Sequence, residues 1–463
     1  MSTFEFNHII KTLKCCIYLI NNYSNIIDAF VSDVFNKSHF ETLPKCWKKY
    51  FCGLSLEDIN NIFHLKKFSL SRQIPPLSFI SFITLCDFLD LNFDYKYKNF
   101  NEKTTSKNIR HSNLFISDLQ RHLSPKKRHE VECLSKLISC IHDESIVKFH
   151  VVDIGGGQGH LARYLSMFYS IPVTCIEGSK HNSMKANEFD ERLVKNQKIN
   201  EVMDIKKPSH KTIYLNRNID SDWWDSVMED DQNEKSQYLL NGLHCCGELA
   251  PTMIDMFCRL PNCTAMVLTS CCYHKMKDDS QPMSSVCKTL MSGRNLTYVT
   301  LESACHFLFE YKEKLKLAAK QNSNKVFESQ IFRATVQEIT SNRQMTNKIY
   351  KNKLKAKKYP TEYSAEDRFN LYCLDFFKKC DIFPIDLTLE EQRMANQRIK
   401  YDWMQVVIFH CLRLTIGPAI ETLLLLDRML YLRENNIEAN IYQIFQPSLS
   451  PRNSAIVARK YFT

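Results

Sequence analysis

Apolar positions along the chain change period, and the changes divide it. In the first ninety or so residues Ile9, Ile10, Leu13, Ile17 and Ile20 recur at helical spacing with polar residues between them, which predicts an N-terminal helical region. From Tyr95 to His111 the sequence is polar, basic and nearly without aliphatic side chains, the composition of an exposed linker, so the region with its linker is taken as 1–111. Ser124 then supplies an N-cap, Pro125 occupies the first helical position, and Val131, Leu134, Leu137, Ile138 and Ile141 repeat at helical spacing.

Beyond this helix two periods alternate. FHVVDIG reads as a buried strand, HLARYLSMF as a helix, PVTCIEG as a strand, and Ser179 to about Val194 as a helix. Two further strand candidates, YLLNGLH and TAMVLTS, flank a helical segment from Glu248 to Arg259. Strands and helices joined by short connections predict an α/β fold, an open parallel sheet covered on both faces. The alternation fills 112–276, lapses over 277–400 into a polar insertion of helices and loops with a lysine-rich run (Lys348, Lys351, Lys353, Lys355, Lys357, Lys358), and resumes over 401–463. There Gly417-Pro418 is expected to open an apolar helix through Arg433, and IYQIF and SAIVARK read as two last strands.

Composition narrows the class. The chain has 463 residues, 44% apolar and 24% charged, which excludes disordered and collagen-like polymers. Its longest uncharged apolar stretch, Gln73 to Cys86, is 14 residues and holds two prolines, so no membrane span is expected. Glu5 precedes any apolar run and no basic region leads it, so the start does not read as a signal peptide; an intracellular location, cytoplasmic or nuclear, is expected. Nineteen cysteines, an odd number in that setting, favour reduced thiols over a disulfide framework. The net charge of +10 permits RNA or another acidic partner without demanding one.

Only 10 residues are glycine, and seven of them lie between Gly155 and Gly247. Four fall in the string Val151-Val152-Asp153-Ile154-Gly155-Gly156-Gly157-Gln158-Gly159-His160, where an apolar strand meets an acid and a glycine loop ahead of a helix. Such glycines let the main chain turn sharply and leave no side chain over a ligand. The next strand ends in Glu177, about where a carboxylate holds the two ribose hydroxyls of a nucleoside cofactor. Gly157 to Ala162 also fits G-x-G-x-x-A, the dinucleotide fingerprint, so glycine spacing alone leaves two cofactors in play. Asp153 separates them: it would repel a pyrophosphate but suits the amino group of S-adenosylmethionine, and D-x-G-x-G-x-G looks like motif I of class I methyltransferases.

Two clusters follow the next strands: Asn241-Gly242-Leu243-His244-Cys245-Cys246-Gly247-Glu248, and Ser270-Cys271-Cys272-Tyr273-His274-Lys275. Both should emerge at the carboxyl edge of the sheet, where open α/β folds bind ligands. His244, Cys245 or Cys246, Cys272 and His274 offer nitrogen and sulfur for zinc, but adjacent cysteines are not the C-x2-C spacing of a zinc motif, and no metal is assigned. A thiolate nucleophile and plain packing of a crowded strand end, with Tyr273 or His274 shaping the pocket, stay open beside it. For the reaction centre the candidates are His244, Cys272, Tyr273 and His274, with His244 or His274 as a general base.

The chain resembles the methyltransferase-like protein 25 family. The likeness is carried by SPKKRHEV at 124–131, VVDIGGGQGHLAR at 151–163, GLHCCGELAP at 242–251, SCCYHKM at 270–276, and IETLLLLDRMLYL followed by FQPSLSPRNSAIVARK near the end. It implies a Rossmann-like class I methyltransferase fold and S-adenosylmethionine bound at Asp153, Gly155, Gly157, Gly159 and Glu177. The Cys-Cys-His pattern is also similar to that of a tRNA ribose methyltransferase family with Cys-Cys-His-His, but Tyr273 interrupts it here. Lys126 and Lys127 are expected either to meet the cofactor or an anionic substrate or to be a solvated helix start. Asp427 and Arg428 are expected as a structural ion pair, and SPRN (450–453) either at the rim of the site or as a plain turn. An RNA methyltransferase is the expected function; a protein methyltransferase and a non-catalytic cofactor-sensing scaffold are the rivals.

Overall fold

The structure is a computed structural model; it describes residues 3–461 except 66–73, 92–112, 199–205, 218, 229–236, 307, 345–358, 361 and 384–385. The expected linker and the whole of the lysine-rich run lie outside the described residues. The chain divides into two compact units. The first comprises 1–14, 91–298 and 422–463; the second comprises 15–90 and 299–421.

The first unit is built on seven strands: β1 (Phe149–Ile154), β2 (Val173–Glu177), β3 (Ser209–Thr212), β4 (Gln237–Cys246), β5 (Cys263–Cys271), β6 (Glu438–Gln443) and β7 (Ser454–Arg459). Their order is β3-β2-β1-β4-β5-β7-β6. β1 to β5 run parallel, and β7 enters antiparallel between β5 and β6. This is the α/β class I methyltransferase topology. β5 is buried at every residue, as expected of a strand covered on both faces. The connection order reverses between β1 and β4, which opens a crevice at their carboxyl ends.

The helix Pro125–Glu144 leads into β1, with the Ser124 hydroxyl accepting from the Lys127 amide at 3.3 Å. Its apolar face, including Val131, Leu134, Leu137 and Ile138, joins one core with Val151, Val173, Leu239 and Val267. Behind the glycine loop lies a buried polar network. Arg163 donates to Asp190 at 2.5 Å and to the carbonyl of Gln158 at 3.1 Å, and His210 meets the other Asp190 oxygen at 2.7 Å. The guanidinium therefore pins the loop from below.

In the second unit, the helix Leu56–Phe63 packs on Leu308–Gln321, and Arg413 donates to the carbonyls of Ile27 and Val299 and to Glu302. The expected division treats the N-terminal helices and the insertion separately; the contacts group 15–90 with 299–421 because sequence-distant helices bury each other's apolar faces. Gly417-Pro418 does not open a helix: both lie inside Trp403–Glu434. A Cβ on Gly417 would come within 2.7 Å of the Ser303 carbonyl, so glycine there serves a close backbone approach. The helical stretch Leu389–Glu434 is long and apolar enough to cross a membrane by length and composition, yet 89% of its apolar window is buried in the protein. Arg413 and Glu421 break it into uncharged runs shorter than the one from Gln73 to Cys86.

Asp427 and Arg428 are not paired with each other. Asp427 accepts from the amides of Met283 and Ser284 and from the Ser284 hydroxyl, whereas Arg428 donates to Ser270 and lies over the Tyr273 ring. Consecutive helix positions point about 100° apart, which is why neighbours in sequence serve different partners.

Asp190→Ala would leave Arg163 buried without its counter-charge. The expected loss is about 3–5 kcal/mol of unfolding free energy, read as a lower urea midpoint at unchanged slope.

Candidate functional site

Asp153, next to last in β1, lies directly opposite Asn241 of β4. It is 1% exposed, and its Oδ1 accepts a 2.7 Å hydrogen bond from the Asn241 amide. Its other oxygen, Oδ2, is buried with no partner. Burial pushes the carboxyl up to about 6, against the pull of the Asn241 hydrogen bond and the charges of Lys127 and His210. A buried acceptor aimed into a glycine loop and lacking a donor is suited to a cationic ligand group.

The loop is shaped for close approach. Gly155, Gly157 and Gly159 have φ of 68°, 60° and 69°, the left-handed region. At Gly156 a Cβ would meet Cys175 Sγ at 2.4 Å and Asp153 Oδ2 at 2.6 Å, so any side chain there would fill the space before the carboxylate. At Gly157 a Cβ would have nothing within 4 Å, which leaves the loop open on that side. Glu177 ends β2 and accepts from the Gly157 amide at 2.9 Å and the Ser179 amide at 2.8 Å. It thus ties the glycine loop to the end of β2. Next to it, exposed Tyr214 packs its ring 3.2 Å from the Cβ position of Gly178. Tyr214 lies two residues past β3; farther along the same segment Asp220 accepts from the Trp223 amide at 2.8 Å as a helix cap.

The second half of the site comes from β4. Between Gly242 and Cys245 the register against β5 slips: three steps on β4 answer two on β5, from Leu268 to Ser270. This bulge puts His244 at φ 65° with its amide on the Thr269 hydroxyl at 3.0 Å. Its ring reaches Glu130 of the helix Pro125–Glu144, with Nε2 2.9 Å from Oε2. Ser450, from the loop between β6 and β7, donates to the other oxygen at 2.8 Å. Burial raises the Glu130 carboxyl, but the His244 and Ser450 hydrogen bonds and the Lys127 charge outweigh it and hold Glu130 below the usual carboxylate range. Glu130 is therefore the charged acceptor and the His244 Nε2–H the donor.

Lys127, one turn before Glu130 on the helix Pro125–Glu144, has its ammonium disfavoured by burial while Glu130, Asp153 and Cys271 attract it. It connects the Asp153 and His244 halves electrostatically. Lys126 is more exposed and reaches Glu130 at 3.9 Å.

The cysteines separate by strand alternation. Cys245 turns into the core against Met253, with burial raising its thiol, while Cys246 faces outward. Cys246 Sγ lies 3.0 Å from Cys271 Sγ, and Cys272 joins them, all three sulfurs within 4.8 Å of one another. The Cys271 hydrogen bond lowers the Cys246 thiol despite burial, helped by Cys272, Lys275 and His244. Tyr273 is buried beneath Arg428, and the His274 ring meets Tyr298 edge-on at 5.6 Å. Of the ligand set drawn from sequence, Cys246 and Cys272 are brought together; Cys245, His244 and His274 are directed elsewhere.

Residues 126–279 match a family model described as a methyltransferase domain. The chain is 27% identical over 256 residues to the probable methyltransferase-like protein 25 of Mus musculus, covering 51% of this chain and 40% of the relative. To the human protein of the same name it is 25% identical over 312 residues, covering 64% and 48%. The chain thus spans about half the length of the curated relatives it matches. Among solved structures, the plantazolicin methyltransferase BpumL in complex with SAH aligns at 15% identity over 50% of this chain and 70% of that one, with a TM-score of 0.21, a likeness that decides nothing by itself.

Because the Asp153 carboxyl is raised in the folded state, its ionised form opposes folding. Stability is thus higher below the unfolded value and falls as pH rises through about 6. Asp153→Asn should remove this dependence, gaining roughly 2–3 kcal/mol on the native protein between about pH 4 and pH 7 in urea titrations.

Proposed function

We propose that this chain, a relative of the methyltransferase-like protein 25 family whose residues 126–279 are a methyltransferase domain, transfers a methyl group from S-adenosylmethionine to RNA. S-adenosylmethionine is the cofactor that such a domain takes, and the residues fit it. The unpartnered Asp153 Oδ2 before a loop of left-handed glycines carries the reading. That oxygen matches the donor's amino group, Lys127 its carboxylate, Glu177 the ribose hydroxyls, and Tyr214 offers a ring face for the adenine.

The sulfonium brings an already activated methyl group, so the protein's work is positioning and water exclusion. On this reading Glu130 orients the His244 ring through Nε2. The Nδ1 lone pair is then left to take a proton from a hydroxyl or ring-nitrogen acceptor. Ser450 holds Glu130, which brings the loop carrying SPRN into the site. RNA is supported by the +10 charge, the lysine-rich run and the tRNA-enzyme resemblance. A protein acceptor and a scaffold that senses the donor are the rivals.

Asp153→Ala should weaken donor binding in calorimetry by roughly 10–150-fold, the worth of a hydrogen bond to a charge. Native affinity should fall about tenfold from above about pH 7 to about pH 5 as Asp153 protonates; affinity indifferent to both changes would sink the donor site. With radiolabelled donor and cell extract, label should become ribonuclease-sensitive. Label that survives ribonuclease and yields to protease would replace RNA with protein.

A further inference from the structure

The thiols of Cys246, Cys271 and Cys272 converge in a way that their sequence positions do not require. Cys246 and Cys271 are register partners at the last residues of β4 and β5. Consecutive residues of a strand point to opposite faces, so Cys271 and Cys272 would ordinarily diverge. They do not, because Cys272 leaves the strand in the left-handed conformation, at φ 49°. That conformation is sparsely populated for a side chain with a Cβ and persists only where the surroundings enforce it. The turn is enforced from both sides: Gly247, at φ 55°, lies so close to the next segment that a Cβ would be 2.8 Å from the Lys275 carbonyl, and the Lys275 amide donates to the Cys272 carbonyl at 2.9 Å.

We propose that Cys246, Cys271 and Cys272 form a three-thiolate site for a soft divalent cation, zinc foremost, with the fourth tetrahedral position open. Three sulfurs around zinc at about 2.3 Å stand about 3.8 Å apart. The observed sulfurs lie within 4.8 Å of one another, and the Cys246–Cys271 pair at 3.0 Å would open by under about 1 Å on taking up the ion. Thiolates select zinc over hard cations such as magnesium or calcium. Among the described residues no histidine, carboxylate or further cysteine completes the set, and three protein ligands with a vacant position are the pattern of a site that takes an exchangeable ligand. Cys246 lies two residues beyond His244 on β4, so that ligand would sit beside the same strand end as His244. The site stands on the cysteines alone, whether or not the donor reading holds.

The test is metal content of the full 463-residue protein purified with reductant and reconstituted with zinc. One equivalent is expected, released by a thiol-blocking mercurial. Cys246→Ser, Cys271→Ser and Cys272→Ser should each lower occupancy several-fold, while Cys258→Ser, on the helix after β4, retains it. Cobalt substitution of the unmutated protein is a second readout that no folding defect can confuse. It should produce a sulfur-to-metal charge-transfer band and the intense visible bands of tetrahedral cobalt. A protein that takes up no zinc or cobalt, whether its three thiols titrate freely or Cys246 and Cys271 are found as a disulfide, overturns the proposal. Donor binding measured on the same samples reports separately on the methyl-donor site.

Discussion

The first unit depends on how one buried carboxylate is satisfied. Asp153 sits at the carboxyl end of the central strand, out of contact with water, where an ionised side chain is costly. Asn241 on the neighbouring strand answers one oxygen, and the other is left without a donor. The geometry around it follows from keeping that oxygen reachable. Gly156 has no side chain because one would collide with it, and the flanking glycines turn the chain aside. Glu177 and Arg163 hold the turned loop through its amide and carbonyl groups. A raised carboxyl at this position is a stored cost that a cationic ligand would relieve.

The same logic applies across the crevice with different means. β4 must bring His244 to Glu130 and Cys246 to Cys271, although strict alternation from a regular strand would not aim both correctly. The bulge between Gly242 and Cys245 inserts the residue that re-aims the histidine, and Thr269 satisfies the displaced amide. Lys127 lies between the two halves, attracted by both the Glu130 and the Asp153 carboxylates. The segment after β6 closes the arrangement by delivering Ser450.

Several features were legible in the chain because they depend on local chemistry. The buried strands read as apolar runs, Ser124-Pro125 read as a helix start, and Asp153 with its glycines read as a ligand loop. Lys126 and Lys127 stand together in the chain, and only their surroundings in the fold tell them apart. Other expectations failed for want of tertiary partners. Asp427 and Arg428 looked paired because they are adjacent and opposite in charge, yet each answers a different distant group. Gly417-Pro418 looked like a helix start, but a backbone crossing by Ser303 explains the glycine. Tyr214 carried no periodic or motif signal at all.

Local residue patterns specify the strand and helix alternation, the acid and glycine loop, and which strand ends carry histidine and cysteine. These follow from periodicity and backbone allowance, which act over a few residues. Only the tertiary structure decided that Glu130 meets His244, that Ser450 reaches back across 320 positions to hold it, and that Cys245 is core while Cys271 and Cys272 face the same way as Cys246. The aim of His244 and of the cysteines depends on a register slip and on left-handed residues, and a one-residue slip exchanges the faces of a strand without altering its composition.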